Sequence, residues 1–341
     1  MKLNKNHPLY REDISRVLSI EGIESLQGKR VLVTGATGLI GVHLIDALMQ
    51  LGQVKVVAVG RSLENAKKRL GEYFGHSDFS FIKQDVLKPF PQELAVDIVV
   101  PLASNTHPLA YSNFPVETIM INVKGAEHAL DLARHCGATV LYPSSVEVYG
   151  NSETQEPIRE DYTGSLNLSN ARACYTESKR VCEAMCQSYL AEYGVNTKIV
   201  RLSRVFGPTM LESDSKASSQ FIKKAILGED VVLKSEGKQF FSYTYVSDAV
   251  AAMLHALNYG EVGSAYNISN EKCNVRLKDF ARVCAMYAGK DVAFDMPVDV
   301  ESKGYSIAMN AVLDNSRLKA LGFVPRYEFA DAVNRTIEIL K

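Results

Sequence analysis

The sequence predicts a doubly wound parallel α/β sheet followed by a smaller C-terminal α/β lobe, and three observations carry this. An apolar, β-branched run (31–34) feeds a turn with three evenly spaced glycines and then the helical pattern of 39–51. Further near-continuous apolar runs alternate with helical segments, the pattern of a sheet covered on both faces. Beyond about residue 203 the strands shorten and loops multiply.

In chain order, 10–25 carries a short helical pattern, expected to lie on the core as part of an N-terminal extension, residues 1–27. Residues 28–202 are the expected dinucleotide-binding domain. Its strands fall at 31–34, 54–59, 79–82, 97–102, 139–142 and 198–202, with helices at 39–51, 117–135 and 175–193. Residues 203–341 are expected to form mainly a substrate-binding lobe, with helices at 218–227, 246–257, 277–288 and 330–340. Ligands of such sheets sit beyond the carboxyl ends of the strands, so functional residues should follow strands or begin helices.

Composition fits a soluble enzyme. A chain of 341 residues can bury a large core, and 38 Lys+Arg against 39 Asp+Glu leave no global field for nucleic acid or membrane. No apolar run is long enough to span a bilayer, and the polar start broken by Pro8 is unlike a secretory signal. The six cysteines contain no CxxC pair. Cys182 and Cys186, four apart on a predicted helix, read as packing thiols, since no second His or Cys pair completes a metal site. No metal is expected, and a reducing cytoplasm is the natural setting.

Chemistry begins at the glycine turn. Gly35 permits the tight turn, Gly38 lets backbone N–H groups approach a pyrophosphate, and Gly41 lets the helix pack closely on the strand. Thr37, Leu39 and Ile40 complete it. Tyr175 and Lys179, four apart at a helix start, face the same side. A nearby cation favours the phenolate, so the pair can move a proton to or from a sugar hydroxyl while hydride leaves the same carbon. Ser144 and Ser145 end the strand at 139–142, where a hydroxyl can bond the reacting oxygen; a polar strand end reads the same way.

Together these features resemble the extended short-chain dehydrogenase/reductase family, in particular its nucleotide-sugar epimerases, dehydratases and decarboxylases. The resemblance runs from about residue 28 to the C-terminus. It places the catalytic Ser/Thr on Ser145 and the Tyr-x-x-x-Lys pair on Tyr175 and Lys179. Arg201–Leu202–Ser203–Arg204–Val205–Phe206–Gly207–Pro208 and Tyr245–Val246–Ser247–Asp248 match later landmarks. The wording Arg172–Ala173–Cys174–Tyr175, with Glu147 before Val148–Tyr149–Gly150, is nearest to UDP-glucuronate decarboxylases. There the equivalent glutamate helps catalysis, so Glu147 is a candidate acid/base; a solvated loop carboxylate is the plain alternative.

The resemblance also assigns cofactor contacts to Asp85 and Val86 after the third strand, and to Leu102, Ala103 and Ser104 after the fourth. Asn105, Thr106 and His107 follow, where such enzymes line nicotinamide and substrate; His107 could equally hold its own loop. NAD-dependent relatives end the second strand with a carboxylate, whereas here Gly60–Arg61–Ser62 stands. A guanidinium in place of a carboxylate favours a 2′-phosphate, hence NADP(H), with NAD(H) the alternative.

Other departures concern substrate. The arginine usual four residues before the tyrosine of Tyr-Val-x-Asp is Phe241, and Met309, Asn310 and Ala311 stand where a second is usual. The usual asparagine is Arg204, a new cation at the expected substrate site. Val146 occupies the position of the dehydratases' aspartate, which argues against 4,6-dehydration. The leading expectation is NADPH-dependent reduction of a nucleotide-linked keto-sugar, such as a cytidine-diphosphate sugar, for surface polysaccharide precursors. The alternatives are a cofactor-recycling epimerase or decarboxylase and, more remotely, a non-catalytic NADP(H) sensor. Residues 120–131 and 175–193 resemble the helices by which family members dimerise, though covering the sheet gives the same pattern.

Overall fold

The computed structural model describes residues 2–106, 108–152, 156–295 and 310–341. Helix α1 (Pro8–Leu18) precedes β1 (Arg30–Thr34), α2 (Leu39–Leu51), β2 (Lys55–Gly60), α3 (Leu63–Leu70), β3 (Phe79–Lys83) and β4 (Ile98–Pro101). Then come α4 (Pro108–Asn113), α5 (Pro115–Cys136), β5 (Thr139–Ser145), α6 (Ala173–Tyr193), β6 (Thr197–Leu202) and β7 (Arg204–Phe206). The rest comprises α7 (Ala217–Leu227), β8 (Val231–Leu233), β9 (Phe240–Tyr245), α8 (Val246–Tyr259), β10 (Ala265–Ile268), β11 (Asn274–Arg276) and α9 (Leu277–Tyr287). It closes with β12 (Val292–Phe294), β13 (Asn310–Ala311), α10 (Ser316–Ala320) and α11 (Phe329–Leu340).

The main sheet has seven strands in the order β10-β6-β5-β4-β1-β2-β3, all pairings parallel. The chain reverses its direction of winding between β1 and β4, which opens the crevice where such sheets bind ligands. Apolar runs covered on both faces explain why these strands read as continuous rather than alternating. One face packs under α1, α2 and α8, and the other under α5 and α6. Cys182 and Cys186 lie fully buried in that second layer.

Residues after 202 contribute to both parts of the molecule. Helix α8, buried along most of its length, covers the main sheet, and β10 adds its seventh strand beside β6. Their apolar faces fit the sheet's exposed edge better than a separate lobe. The lobe proper is built from β7, β9, β11 and β13 with α7, α9 and α11 around an aromatic cluster. Phe280 centres it, 5.3, 5.0 and 5.0 Å from the rings of Phe206, Tyr243 and Phe329.

The N-terminal helix ties the two parts together. Asp13, with no exposed surface, accepts hydrogen bonds from Tyr245 (2.6 Å), Tyr327 (2.7 Å) and Arg335 (2.6 Å), all from the C-terminal portion. From the same helix Tyr10 donates to Asp46 of α2 at 2.5 Å.

Candidate active site

The glycine turn has the geometry its sequence demands. Gly35 sits at φ +62°, and a Cβ there would lie 2.8 Å from the backbone of Leu102 and Ala103. A Cβ on Gly41 would lie 2.5 Å from the Gly35 carbonyl oxygen. Only bare backbone lets β1, the loop after β4 and the start of α2 converge this closely. The convergence leaves the first turn of α2 open beyond Gly38, its N-cap, as a cradle that fits a dinucleotide pyrophosphate. Thr37, Leu39 and Ile40 lie on it, all partly exposed, and the Leu39 carbonyl accepts from Thr209 at 2.7 Å.

The flanking loops are pinned by local bonds. Thr34 accepts from the N–H of Ala103 at 3.0 Å, holding Leu102 and Ala103 against the turn. Ser104 donates to Asn122 of α5 at 2.7 Å, and Asn105 donates to Thr118 at 3.2 Å. Asp85 caps its own turn through the N–H of Leu87 at 3.0 Å, and the carbonyl of Val86 meets Nδ1 of His128 at 2.8 Å. Thr106 is exposed; His107 lies outside the described residues.

At the end of β5 and the start of α6 the catalytic candidates gather. Ser145 hydrogen-bonds the phenol of Tyr175, and its hydroxyl accepts from the N–H of Glu147 at 3.2 Å. Burial raises the Tyr175 pKa above the usual tyrosine range; Glu147 pushes it up further, while Ser145 and Arg172 pull it down. Lys179 lies one helical turn on from Tyr175, on the same helix. The Lys179 ammonium donates to the Pro143 carbonyl at 2.8 Å and lies 4.9 Å from the Tyr142 ring, and burial lowers its own pKa. Arg172 is a second cation on this side of the site, and it favours the Tyr175 phenolate.

Ser144 also requires correction. Its hydroxyl donates to Glu183 at 2.5 Å, and Glu183 pairs with Arg201 at 2.7 Å. Neighbours on a strand point to opposite sides, so when Ser145 meets Tyr175, Ser144 turns away.

Two functional candidates lay outside the sequence reading. Arg172 binds Glu147 at 2.9 Å, and its guanidinium lies 4.4 Å from the ring of Tyr111 in α4. Tyr111 in turn packs 4.9 Å from the ring of Tyr175, at 32°. Arg172 stands one helical turn before Tyr175, a spacing that could have signalled it; nothing local marks Tyr111. Glu147, Arg172, Thr176, Asn170 and Arg204 line one open cleft. There the Arg204 guanidinium lies 3.5 Å from the centre of the Phe241 ring, so two of the residues that depart from the family pattern are in contact.

Arg61 follows β2 and is 64% exposed, with Nη1 3.5 Å from Oε1 of Glu117. No helix among the described residues is long and apolar enough to cross a membrane.

The comparisons with known proteins agree with this geometry. The chain is 33% identical to UDP-glucuronic acid decarboxylase 1 of Xenopus tropicalis over 317 residues, covering 92% of this chain and 72% of that protein. It is 36% identical to UDP-glucuronic acid decarboxylase 6 of Arabidopsis thaliana over 241 residues, 71% and 69% of the two chains. Its fold matches UDP-glucuronic acid 4-epimerase of Bacillus cereus, solved with UDP-glucuronic acid and NAD. The TM-score is 0.79 at 21% identity, over 91% of this chain and 98% of that one. The preference for NADP(H) read from Arg61 finds no support among these relatives. The sequence pattern of the NAD dependent epimerase/dehydratase family matches residues 31–269. With the glycine turn, the Ser145–Tyr175 contact and the crevice all inside that span, the chain belongs to the NAD dependent epimerase/dehydratase family.

Proposed function

We propose that this protein is a nucleotide-sugar enzyme that removes a hydride from its substrate and returns it within one turnover, as an epimerase or decarboxylase does. A uridine-diphosphate hexuronate is the substrate class best supported, by the identity to UDP-glucuronic acid decarboxylases along most of the chain. The observation that carries the reading is the contact of Ser145 with Tyr175 beside the Glu147–Arg172 pair, of which the pair lines the cleft.

The dinucleotide is held by the turn from Gly35 to Gly41, with Asp85, Val86, Leu102, Ala103, Ser104 and Lys179 around it. When bound, NAD supplies a two-electron acceptor for the hydride. Tyr175 takes the proton of the sugar hydroxyl as its carbon is oxidised to a ketone, and gives it back on reduction. Ser145 holds the reacting oxygen. Glu147, fixed by Arg172, is the second acid/base group, and Arg204 on Phe241 supplies a cation to the substrate's phosphates in place of the absent arginine. Asn105 and Thr106, on the loop after β4, contribute to substrate binding.

Incubation with UDP-glucuronate and NAD, without added reductant, tests the reading by NMR of the sugar product. Release of carbon dioxide with a UDP-pentose, or a C4 epimer, supports it. An unchanged sugar alongside NADPH consumption with a cytidine-diphosphate keto-sugar would favour the reductase reading, which Arg61, Val146 and the altered phosphate cations recommend. We also propose a homodimer through α5 and α6, where Val116, Ile119, Met120 and Val181 are exposed. Sedimentation of Met120→Lys against wild type checks it.

A further inference from the structure

The carboxyl end of β2 carries a charge pair that the chemistry above leaves unused. β1 and β2 run level, Thr34 opposite Val59, so Gly60 and Arg61 leave the sheet beside the Gly35 turn. Glu117 lies in the first turn of α5, the helix that follows β4. In the sheet, β1 lies between β4 and β2. For Glu117 to reach Arg61 at 3.5 Å, the pair has to span the carboxyl end of β1, the edge from which the dinucleotide turn springs.

We propose that Glu117 is a cofactor-selectivity residue that acts through Arg61. The inference rests on the dinucleotide reading of the glycine turn. A carboxylate near the end of the second strand accepts from ribose hydroxyls, and an arginine there accommodates a 2′-phosphate. Gly60 supplies no carboxylate; Glu117 brings one to the same place from another element. With Glu117 3.5 Å away, the positive charge of Arg61 is partly offset. An incoming 2′-phosphate has to displace the carboxylate and then remain near it, like charge against like charge. A ribose diol carries no charge and can use the carboxylate as an acceptor. The fold therefore offsets part of the positive charge that the sequence displays, and the site accepts NAD(H) at least as well as NADP(H).

Fluorescence titration with NADH and NADPH separates the possibilities, using wild type, Glu117→Gln, Arg61→Ala and the double variant. The wild type should bind NADPH no more tightly than NADH. Glu117→Gln should shift the ratio of affinities toward NADPH at least fivefold, about 1 kcal/mol. The same change made on the Arg61→Ala background should shift it little. An unchanged ratio in Glu117→Gln overturns the inference, as does a shift that survives intact without Arg61. Both residues are exposed, so folding is not at stake, and unchanged melting temperatures confirm it. If the wild type binds neither nucleotide, the dinucleotide reading itself fails; if it binds both and the ratio does not move, only the inference fails.

Discussion

The Glu147 carboxylate lies 2.9 Å from the Arg172 guanidinium, and the two act on Tyr175 with opposite sign. Burial already raises the Tyr175 pKa above the ordinary tyrosine value, so a rate that needs tyrosinate climbs with pH on the alkaline side. Arg172→Gln removes the cation and should move this limb to higher pH; Glu147→Gln should move it lower. Each shift should be on the order of one pH unit. The profile of kcat/KM against pH reads both, and shifts of the same sign would dismiss the coupling.

Tyr175→Phe keeps the ring that packs on Tyr111 and removes only the proton carrier. Turnover should fall by about 10²–10⁴-fold with NADH affinity unchanged. A non-catalytic sensor would have no turnover to lose, so the comparison also decides against that alternative.

Gly41→Ala places a Cβ 2.5 Å from the Gly35 carbonyl oxygen and 2.9 Å from that of Ala36, both rigid backbone. It should cost about 1–3 kcal/mol in urea unfolding and weaken dinucleotide binding more than tenfold. Gly71→Ala, with open space around its Cβ, serves as the control and should be nearly silent.

Asp13→Ala leaves Arg335 only the exposed Glu12 as carboxylate partner and strips Tyr245 and Tyr327 of their acceptor. Removing one member of such a pair costs about 3–5 kcal/mol, measurable by the same unfolding curves. Burial raises the Asp13 pKa despite Tyr245, Tyr327 and Arg335, so Asp13→Asn, which keeps shape and polarity, should cost less.

Asp248 gives a pH signature. Burial pushes its carboxyl up to about 6, against the N–H groups of Arg326 and Tyr327 and the amide of Asn270 that favour its ionised form. The folded protein thus holds this proton to higher pH than the unfolded chain, which releases it near 3.8. The stability so gained is complete below about pH 4 and disappears as pH rises to about 6. Asp248→Asn lacks the effect, so its stability relative to wild type should improve by roughly 2–3 kcal/mol between pH 4 and pH 7.

What was legible in the sequence is what local physics dictates. The glycines at 35, 38 and 41 announce a place where no Cβ fits, and Tyr175 and Lys179 announce a shared helix face. The seven-stranded sheet was visible to its sixth strand; the seventh, at 265–268, needed the long return through α8, which no local pattern records. Ser144 was misplaced because adjacent strand residues cannot both face one site. The stack of Arg172 on Tyr111 and of Tyr111 on Tyr175 joins two helices 60 residues apart, and Arg61 with Glu117 joins two crossovers. Such pairs exist only after the chain has folded.

Asp13 and Arg335 stand 322 residues apart, yet they are hydrogen-bonded in the interior. During synthesis α1 emerges early and can dock on α2 through Tyr10, but its aspartate has no guanidinium until α11 follows. Closing a loop of that length is an entropic barrier that few early contacts repay. The first helix thus works as a clasp fastened last, and proteolytic trimming of α11 would loosen α1 at the far end of the sequence. Limited proteolysis should therefore release the two segments together, as one cooperative unit, before the parallel sheet yields.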